Sequence, residues 1–257
     1  MKMQQTTLLP RRLPLIFLIA FCVAAVQAFA QISTAEQLHL SAWEHNDAND
    51  FSGAFVLNRQ ADSLLQIIPE SPDSLKTAVK YLQGILLYNL GDYPASREAL
   101  EAAEALYAAQ GDLGGQADCR LSLGNTIWYL EGADSALKQF DRAIHLAEKD
   151  ITASRRYRGK FYIDKGYALA ELSRFEEAVA WINKGLDLDL AYSGADSRQY
   201  AEGLMILAIV HNYQGDYFKA AQGLEAALRI QKKHHPGTDN LQHAPIYGNL
   251  ANVYFNM

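Results

Sequence analysis

The sequence predicts an all-α protein made of stacked antiparallel helix pairs, and three observations predict it. Small residues recur at Gly84, Gly124, Gly166, Ala208 and Ala251, in steps of 40, 42, 42 and 43 residues. Nineteen positions after each of the first four stands a second small residue: Ala103, Ala143, Gly185 and Ala227. Between the two lies a turn-forming triplet, Gly91-Asp92-Tyr93, Glu131-Gly132-Ala133, Ser173-Arg174-Phe175 or Gly215-Asp216-Tyr217. Constant spacing inside the unit, with variable spacing between units, makes the helical pair the fixed module. Leu123–Ile144 is the clearest copy. There Gly124, Ala136 and Ala143 let two helix backbones approach closely, and Phe140 fills the space beside them. Glycine at the helix end permits the backbone excursion of the turn, and the aromatic after it starts the next packing face.

Taken in order, residues 1–30 stand apart. Lys2, Arg11 and Arg12 precede an acid-free apolar run, and Ala28-Phe29-Ala30 follows it. A basic segment, an apolar segment and an A-x-A site describe a secretory signal peptide, which implies a periplasmic or secreted protein. The rival reading is a retained N-terminal membrane anchor, because Leu13–Ala30 approaches the roughly 18 apolar residues that span a bilayer. Bulky Phe21 beside Cys22 argues against a lipoprotein site, and Leu13-Pro14 does not continue a twin-arginine motif. Without this segment the chain keeps 20 Lys+Arg against 29 Asp+Glu, a net charge of −9. Nucleic acid and anionic membrane surfaces need concentrated positive charge, so neither is expected as a partner of the mature chain. Cys119 is then the sole cysteine, which excludes an internal disulfide, and its predicted helix points to burial.

Residues 31–70 form a degenerate first unit. Ala42 and Ala61 keep the small-residue spacing, Asn49-Asp50-Phe51 falls at the turn and Ala54 matches Ala136, but Asn58 occupies the large apolar place. A divergent terminal repeat suits a solenoid cap, where one face meets water. Residues 71–240 hold four full pairs. The predicted pairs cover roughly 33–67, 72–109, 113–148, 153–190 and 196–233, with prolines and the His234-His235-Pro236-Gly237 stretch between units. Residues 241–257 read as the first helix of a further unit. Its apolar face, with Tyr247, Leu250, Ala251 and Tyr254, lacks a second helix, which suggests the N-terminal part of a longer protein.

The repeat resembles the tetratricopeptide repeat, or TPR, whose helical pairs carry small residues at fixed places and a G-D-Y-like turn. The resemblance covers essentially the whole mature chain. Periods of 40–43 exceed the usual repeat of about 34 residues, and with Ala227–Tyr254 they resemble the kinesin-light-chain-like subclass found in bacterial TPR/CHAT proteins. The resemblance implies a right-handed superhelical solenoid whose first helices line a concave groove that holds a peptide or protein segment.

No catalytic constellation is present: no Gly-rich phosphate loop, no G-x-S-x-G, no H-E-x-x-H and no paired C-x-x-C. No cofactor is implied, and no metal site either. His234, His235 and His243 sit in or beside a loop without a nearby cysteine, which fits a solvated connection. Arg155, Arg156, Arg158 and Lys160 read as a solvated basic helix face. Groove-facing positions lie three before and one, four and five after each small marker, and so include Leu121, Ile163, Ala170 and Glu171. From these positions the candidate partner-binding residues are Tyr81, Tyr88, Asn125, Trp128, Tyr129, Tyr167, Asn212, Tyr213 and Asn252. Aromatics supply rigid contact area and asparagines pair with a peptide backbone in either polarity, although the same aromatics also suit packing between repeats. A carboxylate clamp would need lysines and arginines on this face, and Lys160 is the only candidate. The expected function is an exported scaffold binding a peptide or protein. The alternative is the regulatory front end of an enzyme, a caspase-like CHAT peptidase or signalling kinase, whose catalytic domain is not in this sequence. Glycan capture is disfavoured by the missing lipid-attachment cysteine. The sequence leaves the ligand and the oligomeric state open.

Overall fold

The computed structural model describes residues 13–68, 71–149, 158–234, 236 and 243–257, with side chains except those of 13–24 and 158. Among these residues there are eleven helices and no strand: α1 (Leu13–Asp47), α2 (Phe51–Ile67), α3 (Asp73–Asn89), α4 (Tyr93–Ala109), α5 (Leu113–Glu131), α6 (Ala133–Lys149), α7 (Arg158–Glu171), α8 (Phe175–Ser193), α9 (Arg198–Tyr213), α10 (Tyr217–His234) and α11 (Ala244–Asn256). The chain divides into two compact units, one ending at Leu86 and one starting at Leu87, so the boundary falls inside α3.

In the first unit the apolar N-terminal stretch and the first repeat helix are one helix, α1, which runs uninterrupted from Leu13. Lys2, Arg11 and Arg12 lie outside the described residues. Among the described residues no helix is long and apolar enough to cross a membrane. Ala42, Ala54 and Ala61 are fully buried against Leu82, Leu86 and Val79. Asn58, at the place a large apolar residue fills in the other units, is also buried. Its amide Nδ2 donates to the Val79 carbonyl oxygen at 3.0 Å, so a hydrogen bond from α2 to α3 stands where dispersion contacts stand elsewhere.

In the second unit the pairs α5–α6, α7–α8 and α9–α10 repeat one packing scheme, and α11 packs on α9 and α10. A Cβ on Gly124 would lie 2.3 Å from the Phe140 ring, and one on Gly166 would lie 2.5 Å from Ile182 and 2.8 Å from the Ala178 carbonyl oxygen. On the second helices, Gly185 would meet the Gly159 carbonyl oxygen at 2.6 Å. The positions matching Phe140 (Leu100, Ile182 and Leu224) are fully buried, as is Phe140 itself. The α5–α6 and α7–α8 pairs are thus closed by one bulky side chain pressed on a glycine backbone, and in α9–α10 the small Ala208 stands at the matching place.

The turns share a left-handed residue but not a residue type. Gly91 (φ 82°) and Gly215 (φ 79°) are the residues built for it, whereas Ser173 (φ 60°) and Asn49 (φ 63°) adopt it with a side chain. Asp50, Asp92 and Asp216 follow as N-caps, accepting from the backbone N–H groups of Gly53, Ala95 and Lys219. The α5–α6 turn departs from this pattern. Glu131 stays helical and Gly132 takes the positive φ of 94°, so α6 begins without an aspartate cap.

First helices approach one another more closely than second helices do. α7 packs on α9 and α9 on α11, while no comparable contact joins α6 to α8 or α8 to α10 among the described residues. The first helices therefore lie on the inner side of this unit. Cys119 is fully buried in α5, and burial pushes its thiol pKa up, so the thiolate is strongly disfavoured.

A polar seam runs between α7, α8 and α9. Asp189 is 3% exposed, with its Oδ1 where a Cβ of Gly159 would fall. Burial, with Glu202 adding to it and Lys160 opposing, pushes the Asp189 carboxyl pKa up to about 6. The folded state therefore holds this proton more tightly than the unfolded chain, and stability declines as pH rises from about 4 to about 6. Asp189→Asn should raise stability at pH 7 by up to roughly 3 kcal/mol and bring no gain below pH 4, as read by urea titration at the two pH values. Gly166→Ala should cost about 1–3 kcal/mol despite alanine's better helix propensity, because the neighbour it meets includes backbone. An unchanged melting temperature would show that the pair can splay.

Candidate functional site

The inner side of the second unit carries an aromatic and amide surface. Tyr129, 63% exposed, stacks on Tyr93 with centroids 4.6 Å apart and planes 6° from parallel. Tyr88 stands across both rings, 5.7 Å from Tyr93 and 5.8 Å from Tyr129. Burial and the neighbouring tyrosine hydroxyls push the Tyr88 pKa up, with Asp164 adding to the effect. The three rings present electron-rich faces.

The next helix continues the surface. Trp128 lies 5.2 Å from Tyr167 across the α5–α7 step and meets Phe140 edge-on at 6.4 Å. Tyr167 has its pKa raised by burial, by the adjacent Tyr213 and by Glu171. The hydroxyl of Tyr213 donates to Glu171 Oε1 at 3.3 Å. Asn125 Nδ2 donates to Asp164 Oδ2 at 3.2 Å, and Lys160 Nζ pairs with the same oxygen at 2.9 Å. Asp164 is itself buried, so Asn125 and Lys160 hold it in place while Lys160 reaches solvent.

Six of the nine predicted residues thus fall on one surface: Tyr88, Asn125, Trp128, Tyr129, Tyr167 and Tyr213. Asn212 is half-buried beside Tyr213, and its Oδ1 is inaccessible to solvent and accepts no hydrogen bond. Asn252 is exposed on α11, where its Oδ1 accepts from Asn256 Nδ2 at 2.9 Å. Tyr81 belongs to the first unit and packs against Trp43 at 6.5 Å. Three positions expected on the groove are core instead. Leu121, Ile163 and Ala170 are buried in the main cluster, because one residue's rotation on these helices turns a side chain from the face to the seam.

No family model matches the chain, and no curated relative matches it. Solved structures do. BtubC (BKLC) from P. vanneervenii superimposes with a TM-score of 0.63 at 18% identity, over 86% of this chain and 89% of that one. Nearly identical TPR-like repeats of a Podosopora anserina kinesin light chain, in two structures, give 0.57 and 0.58 at 15%, over 80% of this chain and 98–99% of those. Rap protein complexed with Competence and Sporulation Factor gives 0.69 at 12%, over 86% and 65%. The chain folds as a tetratricopeptide-repeat solenoid.

In this TPR chain the inner surface draws on two residues outside the predicted set. Tyr93 is the turn aromatic, expected only to start a packing face, yet it backs the exposed Tyr129. Asp164 lies one helical turn before Tyr167, and its spacing of four from Lys160 was the available signal. Other expected features fall elsewhere. His234 Nε2 lies 2.6 Å from the Asp196 carbonyl oxygen, His243 is buried, and His235, Arg155 and Arg156 lie outside the described residues. No group of three metal-binding side chains occurs among the described residues.

Proposed function

We propose that this TPR solenoid is a non-catalytic scaffold that holds an extended peptide or protein segment along the inner side of its second unit. The observation that carries the reading is the aromatic surface on the inner helices, with Tyr129 and Tyr213 exposed and Trp128 and Tyr167 half-buried beside them. Large rigid rings that remain accessible offer contact area with little loss of side-chain entropy. Asn125 adds a half-buried amide beside them. Rap protein, similar in fold, was solved in complex with Competence and Sporulation Factor, so this fold accommodates a bound partner. Export belongs to the same reading: the apolar stretch after Arg12 and the Ala28-Phe29-Ala30 site act as a signal peptide.

The test of binding is capture of a biotinylated random-sequence decapeptide library by the full chain. Tyr129→Ala with Tyr213→Ala should lower the retained fraction by about tenfold at unchanged helical content. Equal capture by the folded double variant would remove the groove from the function. Export is tested separately by fusing residues 1–35 to a reporter that is active only outside the cytoplasm. A signal cut after Ala30 yields active reporter starting at Gln31, and an intact N-terminus on the mature reporter refutes cleavage.

A further inference from the structure

The outer and inner sides of α7 carry the same constellation, complete on one side and lacking one member on the other. On the outer side Tyr162 donates its hydroxyl to Glu148 Oε1 at 2.7 Å. Its ring stacks on Trp181, with centroids 5.7 Å apart and planes 12° from parallel. An ammonium completes the group: Lys184 Nζ lies 4.2 Å from the Tyr162 centroid and 3.6 Å from Glu148 Oε1. Lys165 repeats the arrangement, 3.6 Å from the Trp181 centroid and 2.7 Å from Asp141 Oδ1. Each cation thus sits between an aromatic face and a carboxylate.

On the inner side Tyr213 donates its hydroxyl to Glu171 Oε1, and Tyr167 lies beside both. The aromatic rings and the carboxylate are present, but the cation is not. Glu171 is exposed, and no lysine, arginine or histidine among the described residues is within ion-pair distance of it. The cation nearest in sequence, Arg174, is committed to Glu177. The surface therefore sets electron-rich faces beside a carboxylate that no cation among the described residues neutralises.

We propose that the segment held on this surface presents a lysine or arginine side chain, whose cation seats between the Tyr167–Tyr213 rings and the Glu171 carboxylate. The inference rests on the peptide-binding reading above and adds the chemistry of the occupant. A cation over a tyrosine ring is attracted by the ring quadrupole, and the carboxylate fixes its depth. An acidic segment would meet Glu171 without any compensating cation. This face therefore selects by charge sign as well as by shape.

The experiment uses the full chain and the same random decapeptide library, with the amino-acid composition of the retained peptides read by mass spectrometry. The expected result is enrichment of lysine plus arginine over the input, reduced by roughly fivefold in Glu171→Gln while total capture persists. Added salt should weaken the enrichment because the carboxylate is exposed. Retained peptides with no cationic enrichment, or an enrichment that Glu171→Gln leaves intact, would overturn the charge assignment and leave the groove standing. Capture by wild type no greater than by Tyr129→Ala with Tyr213→Ala would overturn both. Circular dichroism of each variant separates loss of the site from loss of fold.

Discussion

The α5–α6 and α7–α8 pairs depend on the approach of two helix backbones at a residue without a side chain. Where Gly124 faces Phe140 and Gly166 faces Ile182 and the Ala178 carbonyl oxygen, the gap is too small for even a methyl group. That contact fixes the distance within each pair, and distance fixes the angle at which the next pair can stack. The inner face is a by-product. Because α7 touches α9 and α9 touches α11, while second helices do not touch one another among the described residues, groove-side positions of successive first helices fall on one side.

The fold was readable in the sequence because its determinants are spaced regularly and chosen by size. Ala42, Gly84, Gly124, Gly166 and Ala208 all sit in tight packing, and so do their partners nineteen residues on. The site was readable only in outline. Leu121, Ile163 and Ala170 share a nominal offset with exposed positions, yet they turn into the seam between pairs, and a fixed offset cannot express that rotation. Tyr93 and Asp164 were missed for a different reason. Their roles arise from neighbours 36 and 39 positions away in sequence, Tyr129 and Asn125, which no local pattern connects. The α5–α6 turn shows the same limit, since the triplet alone does not tell that Glu131 stays helical and Gly132 takes the positive φ.

Two kinds of electrostatic environment sit within one helix width on α7. On the outer side carboxylates, aromatic rings and lysines are mutually satisfied, which ties α7 to α8 and makes that face inert. On the inner side Asp164 is satisfied by Lys160 and Asn125, whereas Glu171 accepts from Tyr213 and meets no cation among the described residues. Burial separates them as well, since Asp164 is held within the packed seam and Glu171 stands in solvent at the end of the helix. The arrangement confines unmet charge to the rim of an aromatic surface. There a ligand can reach it, and leaving it unoccupied carries little penalty because water solvates it.

The amide of Asn58 has a consequence for register. A large apolar side chain pressed into a neighbouring helix tolerates small axial slips, since one methylene contact replaces another. A hydrogen bond to the Val79 carbonyl oxygen is directional and vanishes within about an ångström of sliding. The first unit is therefore indexed along its axis as well as spaced across it, in the manner of a single buried asparagine that sets alignment in a coiled coil. The α2–α3 contact is indexed by a hydrogen bond at this position, whereas Leu100, Phe140, Ile182 and Leu224 at the matching positions beyond Leu87 align by shape.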